Sequence, residues 1–185
     1  MKNLVRVILA CAFFAGITPA QEQPSGFRGE LLHQLGDVEK KLVDLEQAIP
    51  QEKFAWRPGE GVRSIGEVYL HIAADNYYLM EIAGVKTPLD AGTTGDLEHS
   101  TTDKSRIAEV LRRSFSHIRN GVMNISDEDL EKKVTLFGRE TTVRDALLAL
   151  ALHQHEHLGQ SVAYARMNNI VPPWTAERMA RQKKN

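Results

Sequence analysis

Hydrophobic positions recur along this chain at three- and four-residue steps in four separate stretches, and each stretch reads as an amphipathic helix. The first runs from Gly26 to Ile49 through Phe27, Leu31, Leu35, Val38, Leu42, Leu45 and Ile49, with Asp, Glu and Lys on its outer face and Pro50 as its stop. The second opens at Ser64-Ile65-Gly66-Glu67, a capping-box pattern, and carries Ile65, Val68, Tyr69, Ile72, Leu79 and Ile82 as far as Gly84. The third starts near Asp103 and carries Ile107, Val110, Leu111, Phe115, Ile118 and Val122. The fourth is Thr142 to Pro173, capped by Thr142 with Asp145 three residues on, and stopped by Asn168-Asn169 and Pro172-Pro173. Its stripe comprises Val143, Ala146, Leu147, Leu150, His153, His157, Gln160, Ser161 and Tyr164.

Between the helices the pattern lapses. Phe54 to Gly59 is a loop in which Trp56 packs on the core beneath a Pro58-Gly59 turn. Val85 to Thr102, rich in Gly, Thr, Pro and Asp, reads as one long loop. Ser126 to Leu130 reads as a capped turn, and Val134 to Thr142, with Gly138 central, as a short extended excursion or hairpin before the last helix. Four long helices with little else predict an all-α four-helix bundle. The loop after the second helix and the insertion before the fourth suggest crossover connections.

Composition narrows the function classes. Residues 1–20 read as a secretory signal peptide: a basic start with Lys2 and Arg6, an apolar run from Val7 to Ile17, and small residues at Thr18-Pro19-Ala20 before Gln21. The run is shorter than the roughly 20 residues a membrane span needs. Cys11 sits too early, with Ala12-Phe13-Phe14 behind it, for a lipoprotein signal. Cleavage would leave 21 basic side chains of the original 23 against 24 acidic ones, a net of −3, and would remove the sole cysteine. That excludes a disulfide scaffold and protein thiol catalysis, and it argues for an exported chain with no membrane span after cleavage. The balance carries no nucleic-acid footprint, and the basic residues from Arg178 to Lys184 read as a solvated end. Residues 21–185 suffice for one domain with a full core.

The candidate chemistry is imidazole. His153 and His157 stand one turn apart on an apolar stripe, with Cβ atoms about 5–6 Å apart, while His155 points about 200° away from His153 at 100° per residue. His71 lies on or beside the stripe of the second helix, with Glu67 one turn before it and Asp75 one turn after. In a bundle, facing helices commonly build metal sites in this way. Three neutral imidazoles leave a divalent cation its full charge and at least one open position, and zinc, nickel, iron and manganese all accept them. Glu67, Asp75 and Gln160 are the nearby polar groups by helical spacing, either orienting the ligand rings through their non-metallated nitrogens or simply solvated. His99 and His117 have no partner at ligand spacing and read as surface residues.

His153-Gln154-His155-Glu156-His157 also matches the inverted zinc-peptidase pattern. That pattern needs a further carboxylate downstream, where only Glu177 remains, and a sheet the helical pattern does not supply.

The chain resembles the DinB/YfiT-like family of metal-dependent enzymes. The resemblance rests on Trp56-Arg57-Pro58, Ser64-Ile65-Gly66-Glu67 and His71, and on His153-x-x-x-His157 followed by Gly159-Gln160, Tyr164, Arg166 and Pro172-Pro173. It implies a four-helix bundle, often a homodimer, with a divalent metal on His71, His153 and His157. Where many relatives carry an arginine just after the last ligand, this chain has Leu158, which removes one anion-recognising group. The better-understood activities of the family are transfers and isomerisations that use low-molecular-weight thiols. The expectation is therefore an exported metal-dependent enzyme, a hydrolase or thiol-dependent transferase, acting on a small molecule. The alternative is a non-catalytic bundle that binds a small ligand or metal, or one whose histidines are structural.

Overall fold

The computed structural model describes residues 24–92 and 94–184. The signal-peptide segment 1–20 lies outside the described residues. Six helices and one hairpin follow in the order α1 (Gly26–Ala48), α2 (Ile65–Ile82), α3 (Thr94–Glu98), α4 (Lys104–Asn124), β1 (Lys133–Leu136), β2 (Arg139–Thr142), α5 (Val143–Met167) and α6 (Pro173–Gln182). The four long helices α1, α2, α4 and α5 form the predicted bundle. Both α1 and α2 pack against α4 and α5, so α1 and α2 face each other across a diagonal. The connections from α1 to α2 and from α4 to α5 therefore cross the bundle. The long segment between α2 and α4, expected to be a crossover, joins neighbours instead.

The stripes are buried as their spacing requires. On α1, Leu35, Val38, Leu42, Leu45 and the following Ile49 are sealed from solvent. On α4 the same holds for Ile107, Leu111, Phe115, Ile118 and Val122. Truncating one such side chain, as in Leu42→Ala, would cost about 2–5 kcal/mol through lost burial and the cavity left behind. Helix α2 is buried more widely than its stripe, adding Leu70, Ala73, Ala74, Asn76, Tyr77 and Met80, because α3 and β1 cover it in addition to α4 and α5.

Local signals set the ends of the elements that carry the site. Ser64 caps α2 in a full box: Glu67 N donates to Ser64 Oγ at 3.2 Å, and Ser64 N donates to Glu67 Oε2 at 2.6 Å. Just inside it, Gly66 N donates to Phe54 O at 2.9 Å. A Cβ at Gly66 would lie 3.0 Å from Ile107 Cδ1 and 3.2 Å from that same Phe54 oxygen, so this glycine lets the loop lie against the first turn. Thr142 caps α5, accepting from Asp145 N at 3.3 Å, but the Asp145 carboxylate turns to Thr141 and Arg139 and leaves the box incomplete. The expected excursion is the antiparallel pair β1–β2, with Leu136 opposite Arg139. Its two-residue turn, Phe137-Gly138, has positive φ at both positions (49° and 78°), the conformation that glycine eases and that matches the twist of a hairpin.

Two elements differ from the pattern reading. Val85 to Thr102 contains the short helix α3, packed on α2. Pro172-Pro173 stops α5 and also starts α6, with proline at the first helical turn, where its missing N–H costs nothing. The end read as solvated is helical to Gln182, and its basic residues are indeed exposed. Among the described residues no helix is long and apolar enough to cross a membrane.

Candidate metal centre

His71 comes from the middle of α2, and His153 and His157 from the middle of α5, where the two helices pack together. Ring centroids are 5.1 Å apart for His71 and His153, 4.7 Å for His71 and His157, and 4.3 Å for His153 and His157. One ring nitrogen from each lies within 4.8 Å of the other two. His71 Nε2 and His153 Nε2 stand 3.2 Å apart. The three histidines read from the sequence as one set are thus brought together, and the donor set could hold a metal ion.

The stripe on α5 is rotated from its predicted centre. Gln154 is fully buried, while His153 and Gln160 are only partly covered. His153 and Gln160 therefore flank the buried face at its rim, while His157 is buried within it. His155 is exposed on the far side. Glu156 and Glu177, which the peptidase reading would need, are also exposed, and Glu177 lies near Arg181 on α6.

Two rings are held by their outer nitrogens. His71 Nδ1 lies 3.1 Å from Glu98 Oε2, and Arg63 in turn grips Glu98 with two bonds of 2.7 and 3.1 Å. His157 Nδ1 lies 2.7 Å from Gln160 Oε1, and Gln160 Nε2 donates to Tyr164 Oη at 3.0 Å. Trp56 packs edge-on against Tyr164 with centroids 5.6 Å apart. Donation from Nδ1 to these acceptors leaves the Nε2 lone pairs of His71 and His157 free to ligate, the arrangement metal-binding histidines need. His153 Nδ1 is buried with no partner among the described residues.

The three orienting candidates are placed differently from one another. Gln160 reaches an outer nitrogen. Glu67 does not reach a ligand ring: the helix cap takes one of its oxygens, and Arg57 and His99 take the other at 3.1 and 3.2 Å. Asp75 Oδ2 lies 3.0 Å from His153 Nε2 and 3.6 Å from His71 Nε2, on the inward nitrogens rather than the outer ones. The place foreseen for Glu67 is filled by Glu98, from the segment read as a loop. No periodicity marks Glu98, so residue spacing alone does not place it at His71. His99 is exposed, as read. His117 is half-buried rather than on the surface, packed on Tyr77 with its Nε2 sealed, because α2 covers that side of α4.

Burial lowers the pKa of His71 and His157, only partly opposed by Asp75 and Gln160 respectively. Both rings are therefore biased toward the neutral form a metal requires. Burial is the largest single influence on Asp75 and Glu98 and would raise both. The His153 hydrogen bond together with the neighbouring histidines outweighs it at Asp75, and the Arg63 hydrogen bond and charge together with His71 and His99 outweigh it at Glu98, so both carboxyls sit below their ordinary values.

A cleft of about 520 Å³ adjoins the centre, lined by Arg57, Arg63, Glu67, Glu98, His99 and Gln160 among others. Two of its walls are thus the residues that hold His71 and His157. A cavity of about 550 Å³ lies at the C-terminal end of α2, around His117, and shares no residue with this centre.

Residues 34–161 match the sequence profile of the DinB superfamily. The chain belongs to the DinB superfamily. Solved DinB-like structures share its fold. One, a DinB-like protein from Bacillus cereus ATCC 10987, is 21% identical with a TM-score of 0.69, over 77% of this chain and 93% of that one. A DinB-like protein from Bacillus subtilis (YjoA) is 17% identical with a TM-score of 0.61, over the same shares. A conserved protein from Enterococcus faecalis is 13% identical with a TM-score of 0.66, over 77% and 97%. At these identities the likeness is one of fold. No curated protein matches the chain. Within this DinB fold, the arginine that the resemblance would place at 158 is replaced by a buried Leu158 packed in the core. Arg57 and Arg63 are the guanidinium groups at the cleft.

Proposed function

We propose that this DinB-superfamily chain is an exported metal-dependent enzyme, a hydrolase or thiol-dependent transferase, that holds a divalent cation on His71, His153 and His157 and acts on a small molecule. The observation that carries the reading is the convergence of three ring nitrogens within 4.8 Å, with the outer nitrogens of two rings tied to Glu98 and Gln160. Two inward nitrogens 3.2 Å apart need a proton or a cation between them, and burial keeps the His71 ring from taking on positive charge, which leaves its inward lone pair for a cation. A cation bound there lowers the pKa of a coordinated water or thiol and polarises a carbonyl.

The chain's own residues prepare that chemistry. Glu98 and Gln160 select the ligating tautomer, and Arg63 and Tyr164 hold those two in turn. The cleft gives a small substrate access from one side, and Arg57 and Arg63 can offer it donors not used by Glu67 and Glu98. Imidazole admits zinc, nickel, iron or manganese. Residues 1–20 support export with cleavage before Gln21, and the near-neutral charge argues against a nucleic-acid partner. Pairing as a homodimer is part of the same reading.

The test is metal analysis of protein purified without a histidine tag, followed by turnover assays with activated esters and with thiol acceptors. One equivalent of metal, lost in His71→Ala, His153→Ala and His157→Ala but kept in His155→Ala, together with metal-dependent turnover, supports the enzyme. Full occupancy with no exchangeable water on the metal would instead favour a binding or storage bundle. N-terminal sequencing of the envelope fraction tests export, and an intact Met1 on soluble protein would end that part of the proposal.

A further inference from the structure

We infer that Asp75 is a fourth protein ligand of the metal, which makes the centre a three-histidine, one-carboxylate site rather than a three-histidine site. The inference rests on the metal-binding reading above and adds a residue to it. Asp75 follows His71 by one turn on α2, so both side chains leave the same helix face. Its Oδ2 lies 3.0 Å from His153 Nε2 and 3.6 Å from His71 Nε2, and those two nitrogens are 3.2 Å from each other. Metal–nitrogen and metal–oxygen bonds of about 2.0–2.2 Å imply ligand-to-ligand separations of roughly 3–3.5 Å. The three atoms therefore stand close to the spacing of ligands on one ion.

Direction separates a ligand from a supporting residue. Carboxylates and amides that merely orient a ligand histidine bind the nitrogen turned away from the metal, as Glu98 and Gln160 do. Asp75 approaches the nitrogens turned toward it. Its ion-pair partners within 4.0 Å among the described residues are His71 and His153, and Arg63, bonded to Glu98, acts on it only through its charge. Without metal, His153 Nε2–H donates to Asp75. When a cation displaces that proton, the carboxylate is already in place to coordinate.

Two consequences follow. With four protein ligands, a tetrahedral ion would be closed, so an open position requires five- or six-coordination. The hard oxygen donor also moves preference from a purely imidazole set toward iron or manganese.

Cobalt(II) added to the chelator-stripped full chain reads both. The wild-type complex should show the weak visible absorption of five- or six-coordination rather than the intense bands of tetrahedral cobalt. Asp75→Ala should lower cobalt affinity at least about tenfold and change the visible spectrum and the ligand count from X-ray absorption. Asp75→Asn, which keeps the shape, should show the same spectral change should the alanine variant fold poorly. Glu98→Gln should weaken binding while leaving the spectrum unchanged. An Asp75→Asn spectrum superimposable on wild type, or tighter binding in either Asp75 variant, overturns the inference alone. Wild-type affinity in His71→Ala, His153→Ala and His157→Ala overturns the metal-binding reading beneath it.

Discussion

Two polar clusters lie side by side where α2 meets α5, and adjacent residues supply them. Asp75 and His153 belong to the candidate metal centre, whereas Asn76 and Gln154, the next residue on each helix, belong to a sealed one. Asn76, Gln154 and Ser114 are each 0% exposed. Gln154 Nε2 donates to Asn76 Oδ1, Asn76 Nδ2 donates to Ser114 Oγ at 2.9 Å, and Ser114 Oγ donates to Leu111 O at 2.8 Å. Neutral groups with neutral partners can be closed into a core at little cost, whereas an unpaired one costs about 1–3 kcal/mol; in this network Gln154 Oε1 is the atom without a partner among the described residues. The histidine cluster is ionisable, partly open, and has inward nitrogens facing each other. A rotation of 100° along a helix thus divides a bond network that serves the fold from a donor set that serves a ligand.

That division can be broken most severely on the metal side. Each of His71→Ala, His153→Ala and His157→Ala should reduce metal affinity more than about 100-fold, beyond what loss of an orienting residue costs, while His155→Ala leaves it unchanged in the same competition titration. Asn76→Ala should do the converse. It strands Gln154 Nε2, leaves Ser114 only its bond to Leu111 O, and should lower unfolding free energy by about 2–4 kcal/mol in urea titrations, with metal affinity nearly intact. A large loss of metal affinity in Asn76→Ala would show that the two clusters act as one.

Residues that tie the centre to its surroundings should have intermediate effects. Glu98→Ala frees both His71 and Arg63 and should weaken metal binding about 10–100-fold, measured by competition with a chelating dye. Removing the metal should leave the helical circular dichroism unchanged, because the core is complete without it. The melting temperature should fall by about 5–10 °C from its value at a hundredfold excess of metal over Kd, the loss of roughly 2.7 kcal/mol of linkage. Collapse of helicity on chelation would instead assign the metal a structural role.

The smallest effect is that of pH on the stripped protein. The folded-state pKa values of His71 and His157 are lowered, so from about 6.5 down to those values the unfolded chain binds more protons than the folded one. Stability contributed by the neutral rings is complete above about pH 6.5 and is lost as pH falls through the lowered values. Asp75 and Glu98, also lowered, add a second loss of the same sign below about pH 4. Urea unfolding from pH 8 to 3 should show both, and His71→Ala should flatten the upper one.

The sequence by itself determined the four helices, the hairpin around Phe137-Gly138 and the pairing of His153 with His157, because each is written in the residue spacing of a single element. It also placed His71 on or beside the apolar stripe of its helix, while only the structure brings the motif residues Trp56, Gln160 and Tyr164 together at His157. Tertiary structure alone decided the rest. Spacing gives an angle around a helix axis but not what faces that angle. Glu67 and Asp75 looked equivalent, each one turn from His71, until the cap claimed Glu67 and the facing α5 turned Asp75 toward the inward nitrogens. Glu98 reaches His71 from a segment with no period of its own, and only packing of α3 on α2 brings it there. His153 is only partly covered and Gln154, which the stripe does not include, is sealed, because the covered face of α5 is set by the helices around it, and that rotation leaves His153 at the rim.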